Sequence, residues 1–176
     1  MRKQVALLVL VFGLAVHVSA QERGTLVTFN GGIGVQPVSN VAAPSNADGT
    51  FQNVVRNIVR GVNPGGGPWR IADLKATVTT DGRIRVIGRG LLLASGNRIG
   101  QNGNQSVFAT LICEAAAPFI ERSTAPTGVA LSQNGDFRID DVLSPVPSGC
   151  ASPVLLIRNL SGAWFAAGIV APIGER

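Results

Sequence analysis

Apolar and polar side chains alternate one by one along several stretches of this chain, most clearly in LKATVTTDGRIRVIG, residues 74–88. Strict alternation is the signature of a strand with one face in a core and one in water. The turn inside this stretch fixes which residues meet. A three-residue loop, Thr80-Asp81-Gly82, sets Val78 opposite Ile84 and Ala76 opposite Val86, whereas a two-residue Asp-Gly loop sets Val78 against Arg85. Cross-strand partners point to the same side, so burial selects the three-residue loop, with Gly82 in the left-handed conformation. Asp73 then stands opposite Arg89 on the polar face, which also carries Lys75, Arg83 and Arg85.

The same construction can be laid over three further places. In VALSQNGDFRID a loop at Gln133-Asn134-Gly135 opposes Leu131 to Phe137 and Val129 to Ile139, leaving Ser132, Asp136 and Arg138 outward. In LVTFNGGIGV a loop at Asn30-Gly31-Gly32 opposes Phe29 to Ile33 and Val27 to Val35. In LLIRNLSGAWFAAG a loop at Leu160-Ser161-Gly162 opposes Ile157 to Phe165 and Leu155 to Ala167, and sets Arg158 beside Trp164. With a further strand from Ser106 to Cys113, the pattern predicts an all-β, antiparallel two-sheet sandwich or jelly roll of about eight to nine strands, a closed barrel being second. Residues 51–62 are ambiguous. Phe51, Val54, Val55, Ile58, Val59 and Val62 share a helical face, yet most are β-branched, so a short helix or an irregular strand is expected. NPGGGPW, after it, can form only a loop.

The N-terminus changes the inventory. Arg2 and Lys3 precede an apolar run from Val5 to Val16, and Val18-Ser19-Ala20 supplies small residues at the spacing of a signal-peptidase site. Residues 1–20 are therefore read as a signal peptide and residues 21–176 as a single β-sandwich domain, secreted or periplasmic, with no membrane anchor after cleavage. The signal takes with it His17, the only histidine, and leaves 13 basic against 10 acidic residues. That mild excess gives no dense basic patch of the kind nucleic acid requires, so no nucleic-acid partner is expected. Cys113 and Cys150 are the only cysteines and are expected to form a disulfide, worth roughly 3 to 4 kcal/mol by the chain-entropy argument.

A chain without histidine assembles neither a Ser-His-Asp triad nor a Cys-His pair, and lacks the usual nitrogen ligand for zinc, copper or non-haem iron. No metal or cofactor is expected. Lys75, the sole lysine of the mature chain, lies on a polar strand face and is read as solvated. Paired carboxylates are the surviving catalytic idea. Asp140 and Asp141 are strand neighbours and point to opposite faces, so a glycosidase-type pair needs one of them to meet Asp136, Glu114 or Glu121 across a cleft.

Two stretches offer binding chemistry. SGNRIGQNGNQS, residues 95–106, is long for a hairpin connection and reads as a sheet-to-sheet crossover. Its functional alternative is a loop in which Asn97, Arg98, Asn102, Asn104 and Gln105 hydrogen-bond a sugar or an anion. The second candidate is aromatic and basic: Trp69 with Arg70, and Arg158 beside Trp164, a composition common at binding hot spots, although tryptophans in a small domain also fill cores. The resulting expectation is an exported, non-enzymatic binding or assembly module acting through its surface on a protein or glycan at the cell exterior. A carbohydrate-binding domain using the 95–106 loop and a surface tryptophan is the alternative.

Overall fold

The computed structural model describes residues 24–41, 44–50 and 53–172. The proposed signal peptide lies outside the described residues. Thirteen strands follow one another, with no helix among the described residues: β1 (Thr25–Gly34), β2 (Val38–Val41), β3 (Val54–Arg56), β4 (Trp69–Arg70), β5 (Asp73–Thr79), β6 (Arg83–Arg89), β7 (Leu92–Leu93), β8 (Ser106–Ile112), β9 (Arg122–Ser123), β10 (Val129–Ala130), β11 (Phe137–Val142), β12 (Val154–Asn159) and β13 (Trp164–Val170). Nine of them form one antiparallel sheet in the order β10-β8-β12-β13-β1-β5-β6-β11, with β9 paired to β8, and β2-β3 and β4-β7 make two small ribbons.

The large sheet curls until it is nearly a barrel. Its two end strands, β10 and β11, are consecutive in the chain, and Ser123 and Ser144 exchange both backbone hydrogen bonds, at 3.0 and 2.9 Å. Inside lies one continuous core. Leu74, Ala76 and Val78 of β5, Ile84 and Val86 of β6, Val107, Ala109 and Leu111 of β8, and Leu155 and Ile157 of β12 all contribute to it. On β5, β6 and β11 buried and exposed positions alternate, as expected of strands with one face in water. By contrast β8 is buried at every position from Val107 to Ile112, because β9 and Arg158 cover its outer side. That double burial explains why its sequence is mostly apolar, interrupted only by Thr110, and does not alternate.

The hairpin from β5 to β6 has the expected register: Val78 pairs with Ile84, Ala76 with Val86 and Asp73 with Arg89, and Gly82 has φ 82°. The three other hairpins differ in instructive ways. At 133–135 the turn forms, with Ser132 N–H donating to the Asp136 carbonyl at 3.0 Å, but the strands diverge at once. Val129 pairs with Val107 and Ile139 with Val86, so this turn closes the sheet instead of extending a ribbon. Asn30-Gly31-Gly32 is no turn at all. β1 runs straight through it with a bulge, pairing with β5 through its first half and with β13 through its second. The glycines serve close packing: a Cβ on Gly32 would meet that of Leu74 at 2.9 Å, and one on Gly34 would collide with the Trp69 carbonyl. At 160–162 the hairpin forms and Arg158 does face Trp164, but a bulge then shifts the pairing so that Ile157 meets Ala166 and not Phe165.

Residues 54–56 form the irregular strand of the two expected alternatives, β3, all of it exposed. Cys113 and Cys150 are joined in a disulfide, as expected, which fits folding in an oxidising compartment. No helix of the described residues is long and apolar enough to cross a membrane.

The close approach of β1 to β4 yields a test. Gly34→Ala forces the Trp69 backbone aside and is expected to cost about 3 kcal/mol, the scale of an overpacked core. Gly66→Ala, where nothing lies within 4 Å of the added carbon, is expected to leave the melting temperature within a degree or two. Thermal unfolding of the two variants by circular dichroism checks both.

Candidate functional site

The residues singled out from sequence do come near one another, but mostly as structure. Trp69 is 5% exposed and stacks on Phe165, with ring centroids 4.1 Å apart. Trp164 is 4% exposed and its indole N–H donates to the Asn57 carbonyl at 3.0 Å. Neither ring presents a face to a ligand. The 95–106 segment is pinned rather than open. Leu93 N–H donates to Gln101 O and Gly100 N–H to Leu93 O, both at 2.9 Å, which closes a small loop on β7. Asn102 donates its amide to the carbonyls of Leu131 and Ser132 and accepts from Asn104 N–H, and Gln105 donates to Gly103 O. Gly103 itself lies against the Trp69 ring, so the segment caps that end of the core. It also carries the chain from β7, on the β6 side, to β8 near the other end of the same nine-stranded sheet, so the expected crossover spans one curled sheet and not two separate large ones. Asn97, Arg98 and Arg70 are exposed, with Arg98 Nε donating to Gln101 Oε1.

Arg158 is held on every side. Its guanidinium lies 5.4 Å from the centre of the Phe108 ring, donates to Gly162 O at 2.7 Å and to Thr110 Oγ1 at 3.3 Å, and pairs with Glu121. A shallow concavity of about 530 Å³ opens beside it, lined in part by Glu121, Ser123 and Asp141. Two carboxylates therefore share one depression. Both are already engaged, Glu121 by Arg158 and Asp141 by the N–H groups of Ala125 and Val142. Glu114, the third carboxylate considered, pairs with the buried Arg122 at 2.8 Å and accepts from Ile120 N–H. That guanidinium, with the backbone donor, holds the Glu114 carboxyl down at about 2, against its ordinary 4.5.

The strongest concentration of free polar chemistry lies elsewhere, on the outer face of β1, β5, β6 and β11. Register places its side chains in rows that cross the strands. Thr28, Thr77, Arg85 and Asp140 form one row, and Asn30, Lys75, Ile87 and Arg138 form the next. Arg83 and the Asp73/Arg89 pair flank them. Asp140 is shared by three arginines: Arg85 at 3.0 Å, Arg83 at 3.8 Å and Arg138 at 3.9 Å, whose side chains remain 57% to 61% exposed. The face thus carries five cations and two carboxylates. Elsewhere among the described residues charge balances, with Arg56, Arg60, Arg70, Arg98, Arg122 and Arg158 against Asp48, Asp81, Glu114, Glu121, Asp136 and Asp141. All of the net positive charge of the described residues is on this one side. A shallow concavity of about 340 Å³ lies there, with Thr28, Asn30, Lys75, Thr77, Arg85 and Ile87 in its lining.

Sequence reasoning placed Lys75, Arg83, Arg85 and Arg89 on a polar strand face and Arg138 outward, but missed that β11 and β1 extend that face on either side. The signal was in the alternation itself. Every second residue of FRIDDV up to Asp140 is polar and outward, yet nothing local says that this strand pairs with β6. No protein-family model, curated protein or solved structure matches the chain.

Two outcomes are expected. Both tryptophans emit at short wavelength and resist acrylamide quenching in the native protein; a strongly quenched native signal would show an exposed ring. The Glu114 carboxyl, with its folded-state value depressed, stabilises the fold fully above its ordinary 4.5 and loses that contribution as pH falls towards about 2. Glu114→Gln should therefore lower stability at neutral pH and flatten its decline across that acid window, as read from urea midpoints at successive pH values.

Proposed function

We propose that this domain is an exported, non-catalytic binding module that engages an anionic partner through the outer face of β1, β5, β6 and β11. The observation that carries this reading is the location of charge: five cations against two carboxylates on one sheet face, the described residues being otherwise balanced. A cationic surface of this kind draws in anionic ligands and raises their association rate. Arginine is also the side chain best suited to hold a carboxylate or sulfate in two parallel hydrogen bonds. Export is supported by the signal-like N-terminus and by the Cys113–Cys150 disulfide. The reading as a carbohydrate-binding domain that uses the 95–106 loop and a surface tryptophan has less support, since both indoles are buried and several of the loop amides are spent on the fold.

Charge reversal tests this directly. The double variant Lys75→Glu with Arg85→Glu is expected to lose at least ten-fold in affinity for dextran sulfate at low salt. Arg70→Glu with Arg98→Glu, which changes net charge equally but off the face, is expected to lose less than three-fold. Equal losses in the two variants would show that only overall charge matters, and would overturn the assignment of the face. Binding of the wild type is expected to fall steeply with added salt.

A further inference from the structure

Resting on that reading, we infer that the ligand of the cationic face is an acidic polysaccharide, a chain of sugars bearing carboxylates at intervals. Three features of the face favour it over other polyanions. The first is the interleaving of cations with neutral hydrogen-bonding groups. Lys75 and Arg85 line the same depression as Thr28, Asn30 and Thr77, so each charge has a hydroxyl or amide beside it. Such a mixture matches a polymer that presents carboxylates and hydroxyls together, and it exceeds what an acidic peptide, with few hydroxyls, would use. The second is spacing. Lys75 and Arg138 stand in one row on strands separated by β6, so about 10 Å divides them at the backbone, by the usual separation of neighbouring strands. Arg85 sits between them on the adjoining row. An extended chain laid across the strands along that row meets a cation on every second strand, Lys75 and then Arg138, with Arg85 reaching it from the adjoining row.

The third feature is what the face lacks. Its apolar positions are single aliphatics, Ile87 at 38% exposure and, beside Arg83, Val142 at 44%, and no aromatic ring stands on it among the described residues. Protein interfaces are anchored by buried aromatic or aliphatic side chains, and single-stranded nucleic acids by stacking on aromatic rings. No aromatic anchor is present for either, and Ile87 and Val142 stand apart with Arg85 and Asp140 between them. A sheet face with only a shallow depression also offers no helix or ribbon to enter a duplex groove. Asp140 has a part in this arrangement. It holds Arg83, Arg85 and Arg138 in one cluster while leaving each more than half exposed, and a ligand carboxylate that enters the cluster competes with it for the same donors.

The experiment compares four probes on the disulfide-bonded mature chain by titration calorimetry: polygalacturonate, its fully methyl-esterified form, polyglutamate and duplex DNA. Polygalacturonate is expected to bind at least ten-fold more tightly than each of the other three. Thr77→Val, an isosteric change at an exposed strand position, is expected to weaken polygalacturonate three-fold or more and to leave polyglutamate unchanged. Asp140→Asn is expected to strengthen polygalacturonate binding. Polyglutamate or DNA binding as tightly as polygalacturonate, with loss on charge reversal at Lys75 and Arg85, would overturn the polysaccharide assignment while leaving the anion-binding face in place. Equal binding of the esterified and free acid forms would overturn both, as would failure of all four probes to bind.

Discussion

The two faces of β5 and β6 set the rest of the molecule. Because successive side chains of a strand point to opposite sides, burying Leu74, Ala76, Val78, Ile84 and Val86 forces Lys75, Thr77, Arg83, Arg85 and Arg89 outward. Each fully buried aliphatic of this kind is worth roughly 1.5 to 3 kcal/mol relative to exposure, so a slip of one residue, which would bury the arginines, is prohibitive. The cationic face is thus a direct consequence of the core. The aliphatic groups behind its charges fix the strand register and so the positions from which those side chains emerge.

Closure of the sheet extends this face to four strands. The 133–135 turn delivers β11 to the free edge of β6, where Phe137 packs over Gly88, a position with no room for a Cβ. Ile139 then joins the core, and Arg138 and Asp140 fall into the rows already set by β5 and β6. On the other side β1 adds Thr28 and Asn30. The opposite wall, β8 with β12, is buried on both sides, its outer side closed over by Arg158 of β12, Glu121 and β9. One wall of the molecule is therefore covered and the other bare.

What the sequence made legible follows the same division. Where alternation and a tight turn coincide, as in residues 74–88, strand, register and outward charges could all be derived from burial alone. The derivation failed where glycine had another purpose. Gly32 and Gly34 admit the backbone and side chains of neighbouring elements, so a local pattern that resembles a turn is a bulged, continuous strand. It failed also where a turn joins strands that part immediately, because the partner of β11 lies some fifty residues back in the chain. The binding candidates suffered from the same limit. Tryptophan beside arginine is equally the composition of a hot spot and of a packed corner, and only the tertiary arrangement distinguishes them. Here Trp69 rests on Phe165 under Gly103, and Arg158 on Phe108. The outward residues of β5, β6 and β11 looked like ordinary solvated strand faces when taken singly, and became a site only when three strands were set side by side.

The cationic face therefore depends on the registration of β11 against β6 and of β6 against β5. Cross-strand nuclear Overhauser effects in the folded, disulfide-bonded protein measure it most directly. Contacts linking Thr77 to Arg85 and Arg85 to Asp140, with Ile139 and Val86 both contacting core aliphatic protons, are the predicted result. Contacts that place Asp140 or Arg85 among the core residues, or that pair β11 with any strand other than β6, would contradict it.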